Sequence, residues 1–172
     1  MDGISGNELI DLQKKIEEAS NITDKAQSLA DMAWMIKYSN PKKAVDLADQ
    51  AIGLTQAGEL ETHIPVCYMS KAVSLSQMSR FEAAEKAAKS GLDVYRKQDD
   101  QAGVLHALNV MGSVYFRWGR LAEALENYLE SLRIHHELND SPAPGILSNI
   151  GGVYLQLGDM DRALECYTWI RD

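Results

Sequence analysis

Residues 112–128 read GSVYFRWGRLAEALENY, and residues 151–167 read GGVYLQLGDMDRALECY. The second string repeats the first 39 residues further along the chain, with glycine, tyrosine and alanine at matching places. Self-similarity at a fixed spacing is typical of proteins built from stacked copies of one supersecondary unit. The repeat therefore says more about the fold than any single residue does.

Two weaker copies precede this pair, at spacings of 40 residues. Within each copy the apolar residues recur every three or four positions, which predicts a helix with one buried face. A glycine able to end a helix, Gly119 or Gly158, divides each of the last two copies into two such helices. The matching positions of the two earlier copies are Ala72, Leu75, Ser79, Phe81, Ala84 and Ala88, and then Met32, Met35, Ser39, Ala44 and Ala48.

Residues at the predicted turns favour helix ends. Asn40 before Pro41 predicts an N-cap followed by proline at the first helical position. Asp159 predicts a cap for the last helix. Ser79, with Glu82 three residues later, matches a capping box and is expected to cap the helix that follows.

The order of a leucine, a small residue and an aromatic residue, then alanine and a second aromatic residue, resembles the tetratricopeptide repeat family. The usual repeat of that family has 34 residues, and the spacing of about 40 here is similar to long variants in multidomain bacterial signalling proteins. The resemblance implies an all-α, right-handed α-solenoid of four helix–turn–helix repeats with an N-terminal capping helix. It is carried by Leu108, Gly112, Tyr115, Ala124 and Tyr128, and by Leu147, Gly151, Tyr154, Ala163 and Tyr167.

The predicted segments cover nearly the whole chain. Residues 7–20 are expected to form the cap, because the apolar end of a solenoid needs a cover, and the repeats are expected at 24–57, 61–98, 101–138 and 143–172. The linkers are too short to separate domains, so residues 1–172 are predicted to be one domain. The last helix is shorter than its counterpart in the third copy, and we expect the chain to be the N-terminal part of a longer protein.

Composition limits the partners. The 172 residues carry a net charge of −8 at pH 7, and 45% of them are hydrophobic, which argues against nucleic acid because phosphate binding depends on Lys and Arg. No stretch approaches the roughly 20 apolar residues that a membrane-spanning helix requires. The N-terminus lacks the features of a signal peptide, and Cys67 and Cys166 lie in different copies, which argues against a disulfide framework. A cytoplasmic location is predicted.

Motifs of catalysis or cofactor binding are missing from the sequence. There is no phosphate-binding loop and no hydrolase signature. His135 and His136 are neighbours and point to different helix faces, and His63 with Cys67 supplies only two of the ligands that zinc requires. The chain is therefore predicted not to be an enzyme and to bind neither a cofactor nor a metal ion.

The family resemblance also implies where a partner binds, since the first helices of such hairpins line a concave groove. Asn109 is the favoured contact, because a side-chain amide can both donate to and accept from a peptide backbone. Phe116 and Arg117 would add an apolar anchor and a carboxylate-binding group. A clamp for a terminal carboxylate is disfavoured, because only Arg117 and Lys37 lie on comparable faces. The predicted groove residues are Met69, Val73, Gln77, His106, Asn109, Ser113, Phe116, Arg117, Ser148, Leu155 and Gln156.

Three functions follow from these expectations. The first is a protein-interaction module that binds a peptide or a partner domain, as the regulatory or sensory region of a larger signalling protein. The second is the regulatory region of an enzyme such as a nucleotide cyclase or a kinase. The third is self-assembly, in which the uncovered last helix pairs between copies.

Overall fold

The structure, a computed structural model, describes residues 6–57, 64–138 and 143–171, with side chains from 8–55, 65–138 and 143–168. Every regular element within these ranges is an α-helix, and the all-α prediction is confirmed. The helices are α1 (Gly6–Glu18), α2 (Ile22–Ile36), α3 (Pro41–Ala57), α4 (Ile64–Gln77), α5 (Phe81–Lys97), α6 (Gln101–Trp118), α7 (Leu121–Leu138), α8 (Pro144–Leu157) and α9 (Met160–Arg171).

The chain forms two compact units. Unit 1 comprises Met1–Val94 and unit 2 comprises Tyr95–Asp172. The boundary falls inside α5, so that the last turn of α5 belongs to unit 2. Each unit has its own core.

The core of unit 1 is formed mainly by α2 and α3. Apolar side chains at helical spacing face each other across this pair, and α1 adds Leu9, Leu12 and Ile16 to the same cluster. A short amphipathic helix that covers one end of the cluster agrees with the predicted capping helix. The buried members include Leu29, Ala33, Ile36, Ala44, Leu47, Ala48 and Cys67.

Unit 2 contains the same close contact between a glycine and a tyrosine ring in two places. Gly112 on α6 lies against the ring of Tyr128 on α7, and an added Cβ would come within 2.6 Å of that ring. Gly151 on α8 meets Tyr167 on α9 in the same way, at 2.9 Å. The small residues of the repeat are therefore present because a ring occupies the space that a side chain would need.

The turns of unit 2 follow the sequence prediction. Gly119 and Gly158 have φ angles of 81° and 80°, in the left-handed region that favours glycine. The Oδ1 of Asp159 accepts from the backbone N–H of Arg162 at 3.1 Å, which caps α9 as expected. In unit 1 the Asn40 side chain likewise caps α3.

The capping box predicted at Ser79 is wrong. Ser79 has a φ of 57°, and its N–H donates to Ser76 O while the next N–H, that of Arg80, donates to Leu75 O. Gly119 and the residue after it make the same two bonds at the end of α6. Ser79 therefore ends α4 instead of beginning α5, because the repeat requires a left-handed residue at this position.

Within the described ranges, no helix combines the length and the apolar character needed to cross a membrane.

Candidate functional site

The predicted contact residues of unit 2 lie on two helices, α6 and α8. On α6, His106, Asn109 and Ser113 are half-buried, and their spacing of three and four residues places them on one face. Phe116 continues this stripe toward the end of the helix. We call the surface formed by Asn109, Ser113 and Phe116 of α6 and Asn149 and Gly152 of α8 the α6–α8 wall.

Two asparagines join the helices of this wall. The Nδ2 of Asn149 donates to the Oδ1 of Asn109 at 3.0 Å, and both side chains are half-buried. This bond leaves the Nδ2 hydrogens of Asn109 and the Oδ1 of Asn149 without another side-chain hydrogen bond among the described residues. The pair therefore presents one donor group and one acceptor group.

A chain of hydroxyl groups supports Asn109 from behind. The Tyr128 hydroxyl donates to the Ser113 Oγ at 3.1 Å, and the Ser113 Oγ donates to the backbone carbonyl of Asn109 at 3.0 Å. The hydrogen of the Ser113 hydroxyl is thus already used within the protein. The Ser113 Oγ keeps one further lone pair.

The apolar part of the wall is the ring of Phe116. It is half-buried, and its Cζ lies 4.0 Å from the point that a Cβ on Gly152 would occupy. Because Gly152 has no side chain, no side chain of that residue covers the Phe116 ring from α8. The wall therefore combines an aromatic ring and a hydrogen-bonding amide pair on the same two helices.

The other predicted residues of unit 2 lie on the same two helices with different exposure. His106 is half-buried, and Leu155 remains 44% exposed. The polar ends of the stripes, Arg117, Ser148 and Gln156, are exposed.

In unit 1 the prediction for Met69 is wrong. The side chain is fully buried, and its Cε lies 2.4 Å from the point that a Cβ on Gly91 would occupy. Met69 fills the gap that this glycine leaves between α4 and α5, so a partner cannot reach it. Val73 and Gln77, further along α4, are half-buried.

Lys37 is held by its own helix end. Its Nζ donates to the backbone carbonyl of Trp34 at 2.8 Å and lies 3.7 Å from the centroid of the Trp34 ring. Partial burial lowers the pKa of this ammonium group from its ordinary value. Lys37 is therefore committed to a cation–π contact.

Asn149 is the wall residue that the sequence reasoning missed. The repeat spacing of 39 places Ser148, not Asn149, at the position of Asn109. The structure shows that the residue after Ser148 faces α6. A second asparagine one position from the expected place was the available signal.

Metal ligation finds no support in the described residues, where no three His, Cys, Asp or Glu side chains gather closely enough to hold an ion. His63, the partner considered for Cys67, lies outside the described residues.

Models of the tetratricopeptide repeat match residues 66–137 and residues 144–168. Together the two matches cover more than half of the chain. The chain belongs to the tetratricopeptide repeat family. This membership accounts for the glycine–tyrosine contacts of unit 2, which recur because the repeat recurs.

A curated relative of this tetratricopeptide repeat chain is the photosystem I assembly protein Ycf3 of Rippkaea orientalis. It is 45% identical over 49 residues, a match that covers 28% of this chain and 27% of the relative. The chain therefore spans about a quarter of the curated relative that it matches.

Two solved structures show the same α-solenoid fold. A Rap protein complexed with Competence and Sporulation Factor matches with a TM-score of 0.87 at 20% identity, over 95% of this chain and 46% of that one. NprR in complex with its cognate peptide NprX matches with a TM-score of 0.64 at 17% identity, over 93% of this chain and 58% of that one. The predicted fold class is confirmed.

Proposed function

We propose that this chain is a protein-interaction module whose α6–α8 wall binds an extended segment of a partner polypeptide. The observation that carries the proposal is the Asn109–Asn149 pair, which offers a donor and an acceptor on the helix face that also carries the half-buried ring of Phe116. The structures of the Rap protein and of NprR support it, because each was solved with a bound factor or peptide.

The amide pair suits a peptide backbone better than it suits a side chain of one charge. In an extended strand, the N–H and C=O of one residue point to the same side. The Nδ2 of Asn109 can donate to that C=O, and the Oδ1 of Asn149 can accept from that N–H. Such recognition fixes the path of the backbone, while the Phe116 ring selects an apolar side chain nearby.

We further propose that this binding serves the regulatory or sensory region of a larger signalling protein. The chain covers less than half of the Rap protein that it matches, so an effector region could follow in a longer protein. The alternative proposal is that this chain is the regulatory region of an enzyme, such as a nucleotide cyclase or a kinase. The proposed partner is polypeptide, and the proposed location is the cytoplasm.

The test is a selection of short peptides on the purified chain, followed by affinity measurement on variants. We expect Asn109→Ala/Phe116→Ala to lose at least about tenfold in affinity, because the variant removes one hydrogen bond and one apolar anchor. The matched control is Asn127→Ala on α7, whose amide donates to the Glu123 carbonyl away from the wall. The control should bind as the unmodified chain does.

Peptides methylated at single backbone nitrogens test the backbone contact itself. One methylation should weaken binding to the unmodified chain about tenfold, because the N–H that Asn149 accepts is lost. The same methylated peptide should cause no added loss in Asn149→Ala. If the double variant at positions 109 and 116 keeps the affinity of the control, the wall does not bind the peptide.

A specific observation also favours self-assembly. On α9, Met160, Leu164 and Tyr167 form an apolar stripe, and Leu164 is 63% exposed. On α7 the repeat-equivalent Tyr128 is buried, and α8 packs against that helix. We propose that a second copy can cover the α9 stripe, which would make the chain a homo-oligomer.

A further inference from the structure

A second candidate site lies in unit 1, where α3, α4 and α5 enclose an open cleft of about 370 Å³. Its floor includes Tyr68 and Leu75 of α4, and small residues of α5 leave the space open. We call this the unit-1 cleft. It is lined by Val45, Asp49, Tyr68, Lys71, Leu75, Arg80, Ala83, Lys86, Ala87 and Ser90.

The cleft has a positive charge although the whole chain is acidic. Three cationic side chains line it, Lys71, Arg80 and Lys86, against the single carboxylate of Asp49. The Lys71 Nζ is already paired with the Asp49 Oδ1 at 2.6 Å. Arg80 and Lys86 are exposed and form no ion pair with a described residue. The cleft therefore holds two cations that lack an anion, in a chain of net charge −8.

This cleft is separate from the predicted groove positions of the same helix. Successive residues of an α-helix are 100° apart around its axis. Tyr68, Lys71 and Leu75 therefore share one face of α4, and Val73 and Gln77 lie on the opposite face. A ligand in the cleft would leave the groove face of α4 open.

We propose that the unit-1 cleft is an anion site for a carboxylate or phosphoryl group carried on a small apolar body. Arg80 and Lys86 would hold the anionic group by charge-assisted hydrogen bonds. The half-buried Tyr68 ring would contact the apolar body, and the Lys71–Asp49 pair would close the α3 side. This site takes a different ligand chemistry from the peptide backbone proposed for unit 2.

The experiment titrates the ¹⁵N-labelled chain at low ionic strength with phenyl phosphate and, separately, with N-acetylphenylalanine. Saturable chemical-shift changes should centre on the amides of Tyr68, Lys71, Arg80 and Lys86. The expected dissociation constant is about 1 mM. Tighter binding of the first probe assigns the ligand to phosphoryl anions, and tighter binding of the second assigns it to carboxylates such as a peptide terminus. Added salt should weaken either interaction.

A charge-matched pair of variants decides whether the cleft is responsible. Arg80→Gln/Lys86→Gln should lose about tenfold or more in affinity, because both charge-assisted contacts are removed. Lys89→Gln/Lys97→Gln changes the net charge equally, and neither residue lines the cleft; it should bind within about twofold of the unmodified chain. The proposal is overturned if neither probe gives saturable shifts, or if both variants weaken binding equally.

Discussion

The two cysteines lie in different surroundings. Cys67 on α4 is fully buried, and desolvation, with a smaller contribution from the Asp31 charge, raises the pKa of its thiol to about 12. Cys166 on α9 is half-buried, and desolvation raises the pKa of its thiol in the same direction. Burial makes Cys67 a small apolar core residue without thiolate chemistry.

We predict that only Cys166 reacts with a thiol reagent while the chain is folded. A thiol that stays protonated and out of contact with water does not attack the reagent, so Cys67 should react only after unfolding. Ellman's reagent at mildly alkaline pH should therefore titrate one thiol, and a second after urea is added. Rapid reaction of both thiols in the folded chain would contradict the burial of Cys67.

The Cys67 thiol makes the free energy of unfolding depend on pH in the alkaline range. Its folded pKa lies above the unfolded value of about 8.5, so the unfolded chain releases this proton first. The stabilising contribution is complete below about pH 8.5 and is lost as the pH rises toward the folded pKa of about 12. Cys67→Ala, measured over the same pH range, should show a smaller alkaline loss.

Single residues also show how far the sequence could predict the site. Asn109 and Phe116 were predicted as groove residues from repeat position; both are half-buried on α6, and their contact with a partner stays a prediction. Met69 could not be rejected from sequence, because its burial depends on Gly91, a glycine on the next helix that leaves it room. Asn149 was missed because the residue of α8 that contacts Asn109 lies one position after the residue that the repeat spacing of 39 predicts.

At the scale of helices, the approach of α4 to α5 depends on Gly91. An added Cβ there would lie 2.4 Å from the Met69 Cε, 2.9 Å from the Tyr68 Cβ and 3.2 Å from the Pro65 carbonyl oxygen. The Met69 Cε can move aside, but the Tyr68 Cβ and the carbonyl cannot move without the helix. A glycine inside a helix is otherwise unfavourable, so close packing is the reason for its presence.

We predict opposite effects for two glycine substitutions. Gly91→Ala should lower the free energy of unfolding by about 1–3 kcal/mol, because it forces α4 and α5 apart. Gly53→Ala on α3 should raise it by about 0.5–1 kcal/mol, because a Cβ there meets no atom within 4 Å. Urea unfolding followed by circular dichroism measures both. If Gly91→Ala also stabilises the chain, the helices do not approach as described.

The helix boundaries were the most predictable feature of the fold. Glycine, asparagine and aspartate mark most turns, since each has a physical reason to be there. The start of α5 was the exception. Ser79 and Glu82 have the sequence pattern of an N-terminal capping box, but Ser79 adopts the left-handed conformation that ends α4. A serine can accept either role, and only the backbone geometry of the whole repeat decides between them.

At the scale of the whole molecule, net charge opposes contact between copies. The chain carries −8 at pH 7 and has a sequence pI near 5.0. Repulsion between like-charged copies falls as the pH approaches the pI, and added salt screens it at neutral pH. The exposed stripe of α9 supplies apolar surface whose burial does not depend on these charges.

We therefore predict that self-association strengthens toward pH 5 and with salt at pH 7. Sedimentation velocity over a concentration series should show a rising weight-average mass under both conditions, and a smaller rise at pH 7 without salt. Leu164→Lys places a charge in the stripe, and it should hold the chain monomeric because the charge would have to be buried. Leu129→Lys is the matched control, since Leu129 on α7 is also exposed but lies outside the stripe. A chain that stays monomeric under every condition, or a control that suppresses association equally, would show that α9 does not pair between copies.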